Sequence, residues 1–376
     1  MGRHSIRSET VLLAALGVWA LLASGCTTGF GPHAVRSERP DYNQQIVRSA
    51  DAEMLLNLVR LRYNDTPQFL ELSSVVATYD YDASLNASGT VPASGSGSAT
   101  VGTALAYAEH PTITYLPLTG DKFATRMLSP IPLELFMLAQ NGWSDERLLL
   151  LAVQRVNDLL NAPTAAGPTP EHKPDYEAFA DFSRRVHRLQ SARLIGMHWD
   201  NAAQHQPTPP GREPRFWLRV PADPNDPLME DVVAVRRYLN LEPGRDEFQL
   251  TDFPFRRGPD EVAIRCRSLL GVMYFLSQSI QLPTVDVESG LATVTKDDDG
   301  RPFDWAQVTG RVMTIRSQST RPKKAAVAVP YRGWWFYIAD DDQISKSTFS
   351  LLNILFSLQS SSGEGKSPLL TIPVGR

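Results

Sequence analysis

Two hydrophobic periods alternate along the chain, and each change of period marks a new element. Residues 43–63 carry Ile46, Leu55, Leu58 and Val59 at helical spacing, and the stretch from Asp65 to Pro67 ends the pattern. This predicts a helix that begins near Asp41 or Asn43. From Val75 the period drops to two. Odd positions to residue 87 read Val, Ala, Tyr, Tyr, Ala, Leu, Ala; even positions from 76 to 88 read Val, Thr, Asp, Asp, Ser, Asn, Ser. Strands usually run nearer five or six residues, and this alternation holds for about 13. Gly, Ser, Thr and Pro dominate residues 88–98, as at a loop tip. Alternation resumes at Ala99, with Val101, Leu105 and Tyr107 on one side and Gly102, Ala104, Ala106 and Ala108 on the other. Residues 69–116 therefore read as one long antiparallel hairpin.

Helical sequence comes next. Pro132 precedes an apolar run over 133–139, and Ser144 is placed to cap a Leu- and Val-rich helix reaching residue 160. Asp145 and Glu146 favour the positive end of its dipole. Residues 162–174 read as a surface loop. Residues 175–197 read as an amphipathic helix with Phe179, Phe182, Val186, Leu189 and Leu194 inward. The four prolines of 203–214 mark the best linker candidate. Beyond it the pattern predicts a strand at 215–220, a helix at 231–239, an extended segment at 248–255 and a helix at 260–281. Residues 308–318 and 325–338 then form a hairpin turning at 319–324, succeeded by a helix to about residue 358 and a last strand at 369–374. The expected fold is α+β, mixing helices with antiparallel hairpins. Residues 43–202 and 215–376 form one domain or two, and no internal repeat of 20–50 residues is present.

The N-terminus changes the picture more than the composition does. Arg3 and Arg7 precede a short apolar run over 11–23, which leads through small residues to Cys26. A spanning helix needs roughly 20 apolar residues, so this run fits a signal rather than a span. The stretch Leu22-Ala23-Ser24-Gly25-Cys26 resembles the lipobox of bacterial lipoproteins, whose cysteine is acylated and becomes the new N-terminus. That pattern usually places Leu where this chain has Ala23. The resemblance implies a signal over 1–25 and lipidation of Cys26, and the Thr-, Gly- and Pro-rich composition of the next residues, without an apolar period, reads as a tether over 26–42. Loss of Arg3, Arg7 and Glu9 makes the net charge of −4 about one unit more negative. No basic cluster calls for nucleic acid.

Three stretches look familiar together: 55–75 (LLNLVRLRYNDTPQFLELSSV), 111–132 (PTITYLPLTGDKFATRMLSPIP), and 331–358 with the closing PLLTIPVG. They resemble an uncharacterised family of lipoproteins from Gram-negative bacteria. The resemblance supplies no catalytic residues. It implies an outer-membrane lipoprotein, since Thr27 rather than Asp follows the cysteine, and the body is expected on the periplasmic side.

Candidate chemistry is sparse. With Cys26 acylated, Cys266 has no disulfide partner, and it falls on the apolar face of the expected 260–281 helix. His187, His198 and His205 match no usual metal-ligand spacing. Asp297-Asp298-Asp299-Gly300 lacks the alternating ligands and closing Glu of a calcium loop and reads as a turn. Gly95-Ser96-Gly97 lies in a loop tip, where no base is held against it. No nucleotide, metal or cofactor signature occurs. Trp334, Trp335 and Tyr337 beside Asp340, Asp341 and Asp342 form the richest aromatic and acidic juxtaposition. They read either as a ligand groove or as a core strand leading into helix caps. Tyr79, Tyr81, Leu85, Val101, Leu105 and Tyr107 mark the apolar face of the hairpin, a candidate membrane element or one that lies on the soluble body.

The expected function is a non-enzymatic, lipid-anchored envelope protein with a structural or binding role, held to the membrane by its N-terminal lipid and partnered by other envelope proteins. One alternative is a homo-oligomeric pore built from the 69–116 hairpins, because two strands alone cannot close a barrel. A second is an envelope hydrolase whose residues are scattered in sequence.

Overall fold

Helix α1 (Phe30–Arg62) starts upstream of the expected position, so the tether reading fails from residue 30 onward. The polar stretch before residue 43 is helical although Pro40 lies inside it and removes one backbone donor. The computed structural model describes residues 30–90, 98–200, 213–252 and 258–360. The signal, Cys26, the 203–212 part of the linker and the strand expected at 369–374 lie outside these residues. The chain divides into two compact units after Ala52, and the unit beginning at Glu53 carries all the described strands.

Strands β1 (Leu70–Thr90) and β2 (Ser98–Pro117) form the expected hairpin. Helix α2 (Asp121–Leu128) and a 3-10 turn (Leu133–Asn141) lead to α3 (Asp145–Ala152), where Ser144 accepts the Arg147 N–H as cap. The chain then switches to β3 (Val153–Val156) and β4 (Leu159–Leu160), not helix to residue 160. Asn157 at φ 46° makes the tight turn between them. An apolar run of this length fits either period, and turn chemistry decides it. The 162–174 loop is not plain surface either: it holds a 3-10 turn (Pro163–Ala166), and Ala162, Ala165 and Thr169 are buried.

Helix α4 (Glu177–Ser191) buries Phe179, Phe182, Val186 and Leu189 as expected, but residues 195–197 belong to β5 (Ile195–Asp200). Next come β6 (Glu213–Leu218), α5 (Leu228–Leu239) and β7 (Glu247–Thr251). The expected 260–281 helix is instead β8 (Glu261–Cys266) and then α6 (Leu269–Ser277), with Ser268 capping α6 through the Gly271 N–H. Cys266 is thus a strand residue. It is buried, and desolvation pushes its thiol up to about 12, the state of an inert packing group. Six strands order as β4-β3-β8-β7-β6-β5, with only β7–β8 parallel. Because β5 and β6 pair across the proline-rich segment, that segment does not separate two domains.

After α7 (Thr284–Glu288) and α8 (Ala306–Thr309), strands β9 (Arg316–Gln318), β10 (Ala325–Tyr331) and β11 (Trp334–Ala339) form a second sheet. The expected 308–318 strand is mostly helix and loop. The hairpin turns at Arg332-Gly333, not at 319–324, and the order is β10-β11-β9. Both turn residues have positive φ, 47° and 83°, which matches the backbone twist of a two-residue hairpin. Pro330 sits on an edge strand, where a missing donor is tolerated. Helix α9 (Gln343–Ser360) closes the described chain. The fold is α+β.

Polar residues of the 55–75 stretch tie the end of α1 to the rest of this unit. Asn57 exchanges two hydrogen bonds with the Gln68 backbone, closing the turn after α1. Buried Arg62 donates to Thr169 Oγ1 and the Thr293 carbonyl. Tyr63 donates to Asp286 at 2.5 Å, and its ring meets Tyr331 and Phe336. Asp65 accepts from Tyr331 and Arg332, which hold its carboxyl below the usual range.

Candidate functional site

The hairpin register decides how its faces are composed. Residues directly opposite in an antiparallel pair share a face. Tyr81 opposes Tyr107, Ala83 opposes Leu105, Leu85 opposes Thr103 and Ala87 opposes Val101. Tyr79 lies on the same face, opposite Glu109. The structure therefore brings all six hairpin candidates to one face. The other face pairs Asp80 with Ala108, Asp82 with Ala106, Ser84 with Ala104 and Asn86 with Gly102.

A bulge at Ser73 shifts the register by one residue. Below it, Leu72 opposes Tyr115 and Leu70 opposes Pro117, so these even-numbered leucines join the face of the odd-numbered residues above. At this base the apolar face is open: Leu70 is 37% exposed, Ile113 43% and Tyr115 44%. Each strand has the other as its only substantial neighbour among the described elements.

The aromatic and acidic group is arranged differently. In β11, Phe336 and Ile338 are buried, whereas Trp334, Trp335 and Tyr337 are half-exposed. Arg321 lies over the Trp335 ring at 5.4 Å. Asp342 caps α9, accepting the Ser345 N–H at 3.0 Å and its hydroxyl at 2.7 Å. Asp340 pairs with Lys346 at 2.8 Å, and Asp341 is exposed. Helix capping thus occupies one of these carboxylates and a surface ion pair another.

His187 lies on α4 and His198 on β5, while His205 is outside the described residues. Among the described residues no group of three His, Cys, Asp or Glu could hold a metal ion, and no helix is long and apolar enough to cross a membrane. Asp297 accepts the Asp299 and Arg301 N–H groups, which makes its segment a turn. Compared with known proteins, the chain matches no family model, no curated protein and no solved structure.

Proposed function

We propose that the protein is a lipid-anchored component of an outer-membrane assembly, and that several copies join their hairpins edge to edge into one shared β-barrel. The observation that carries this reading is the hairpin's two-faced register on strands that have no third neighbour among the described elements. A lone two-stranded hairpin is at best marginal in water. Its outer edges present unpaired N–H and C=O groups, and open edges are not tolerated in lipid. Pairing with hairpins of neighbouring copies satisfies those edges, lipid covers the apolar face, and the face of Asp80, Asp82, Ser84 and Asn86 borders an aqueous lumen.

Dimensions support the same reading. From Tyr81 to Thr90 each strand offers roughly ten residues, within the 9–11 that a tilted strand needs to cross a bilayer. Tyr79, Tyr81 and Tyr107 fall at the inner end of that span, where aromatic girdles sit. Pro111 removes one donor from β2 just below it, while residues 98–108 contain no proline. Every residue of both strands in the spanning half therefore carries a backbone donor.

Single cysteines introduced into the full chain test this in intact outer membranes, because native Cys266 is buried. A water-soluble thiol reagent should label positions 84, 86 and 104 and spare positions 83, 85 and 101. Equal labelling of both sets would refute a membrane-inserted hairpin. Detergent-extracted protein should run as a ring, and a monomer would refute the shared barrel.

A further inference from the structure

A cavity of about 490 Å³ lies between the six-stranded sheet and helices α3 and α4. The sheet contributes Val156, Met197, Leu250 and Ile264, and α4 contributes Phe182 and Val186. Typical small-molecule pockets hold about 300–1,000 Å³ and are lined mainly by apolar groups with a few polar ones. A few polar groups complete the lining. Asp145, Gln190 and Arg193 line the cavity, yet none makes a side-chain hydrogen bond or ion pair among the described residues. Arg193 is exposed, so its guanidinium marks the mouth, while Asp145 and Gln190 are half-buried. Desolvation raises the Asp145 carboxyl to about 7, so a large fraction is neutral at neutral pH and able to donate.

Gly196 helps keep the space open. It pairs with Trp217, and a Cβ at this position would stand 2.6 Å from the indole. Without one, the ring lies flat across β5 and forms part of the cavity wall.

We propose that this cavity binds a long-chain fatty acid, with its chain between sheet and helices and its carboxylate at Arg193. The volume lies in the range of small-molecule sites and the walls are mainly apolar, which suits an acyl chain. The unpaired guanidinium at the mouth calls for an anionic head, and Gln190 with protonated Asp145 can donate to it. This site does not depend on the hairpin being a membrane element.

The test titrates the full chain carrying Cys26→Ser with saturated fatty acids of 10 to 18 carbons, read by displacement of a fluorescent fatty acid. Affinity should rise about fourfold per added methylene and level off once the chain outgrows the cavity. Arg193→Gln changes an exposed residue and should weaken fatty acids about tenfold while leaving alcohols of equal length unchanged. Val186→Phe should remove binding of both. Absence of saturable binding would overturn the proposal. So would an affinity that climbs without a plateau, or one abolished by Leu105→Asp in the hairpin and indifferent to Arg193→Gln, since either would place the lipid on the hairpin or in aggregates.

Discussion

Arg267 is a fully buried cation with no carboxylate beside it among the described residues, and its replacement has a calculable outcome. It is 1% exposed. Its Nη1 donates to the carbonyls of Leu150, Leu151 and Val153 at 3.0, 3.0 and 2.7 Å, and its Nη2 donates to the Asn161 carbonyl. These groups gather at the C-terminal end of α3, where carbonyls lack helical partners and a positive charge is favoured. The Phe275 ring adds a cation–π contact at 4.1 Å. Burial opposes all of this and pulls the guanidinium down to about 9.

In Arg267→Met the carbonyls of Leu150 and Val153 keep the Asn161 amide, at 2.9 and 2.7 Å. The carbonyls of Leu151 and Asn161 lose the guanidinium. Two buried acceptors left short cost about 1–3 kcal/mol each, and relief of the desolvated charge returns part of that. The expected net loss is about 3 kcal/mol, a fall in Tm of roughly 6–12 °C for a domain of this size. Urea unfolding of the full chain, monitored by circular dichroism, measures it. Asn161→Ala in the same background should couple to it by more than about 1 kcal/mol, because the two side chains share acceptors. A neutral or stabilising Arg267→Met would refute the reasoning: the buried charge would then cost more than its hydrogen bonds return.

Burial and charge make two other outcomes calculable. Folding favours the protonated Asp145 carboxyl, raised from an ordinary 3.8 to about 7, so the folded form binds the proton more tightly and stability falls as pH rises between those values. Asp145→Asn should therefore gain about 2 kcal/mol at pH 8, discounted for partial exposure, and almost nothing near pH 4; equal effects at both pH values in urea titrations would contradict this. In β11, Phe336→Ala should cost about 3–5 kcal/mol and Trp335→Ala no more than about 2, because only Phe336 is fully buried; the reverse order in the same titrations would mean the strand is out of phase.

Elements with a long period or a local signature were legible in the sequence. The 70–117 hairpin held its alternation long enough to fix both strands and both faces. Ser144 was readable as a cap because capping needs only neighbouring residues. The failures came where short apolar runs satisfy both periods. Residues 153–160 and 261–266 became strands because each pairs with the other in the sheet, a long-range fact absent from either segment. Arg332-Gly333 did carry a readable turn signal, and the apolar residues on either side of it masked that signal. The cavity was invisible for a different reason. Its walls come from residues spread between 136 and 264, and none of them is unusual in its own neighbourhood.

The bulge at Ser73 bears on why the hairpin exists at all. In a strand, one extra residue exchanges the faces of everything beyond it. Here the sequence pattern changes phase at the same place, from Leu70 and Leu72 to Val75 and Ala77, so the extra residue keeps the apolar face continuous instead of breaking it. Only the base of this face is described, and there its apolar residues stand open. Exposure of Leu70, Ile113 and Tyr115 is a cost in water unless something covers them. The opposite face sets Asp80 and Asp82 in register with alanines, a composition that favours water on that side. Each of these features weakens an isolated hairpin, and under the proposed function each becomes favourable once neighbouring copies close the edges and lipid covers one side.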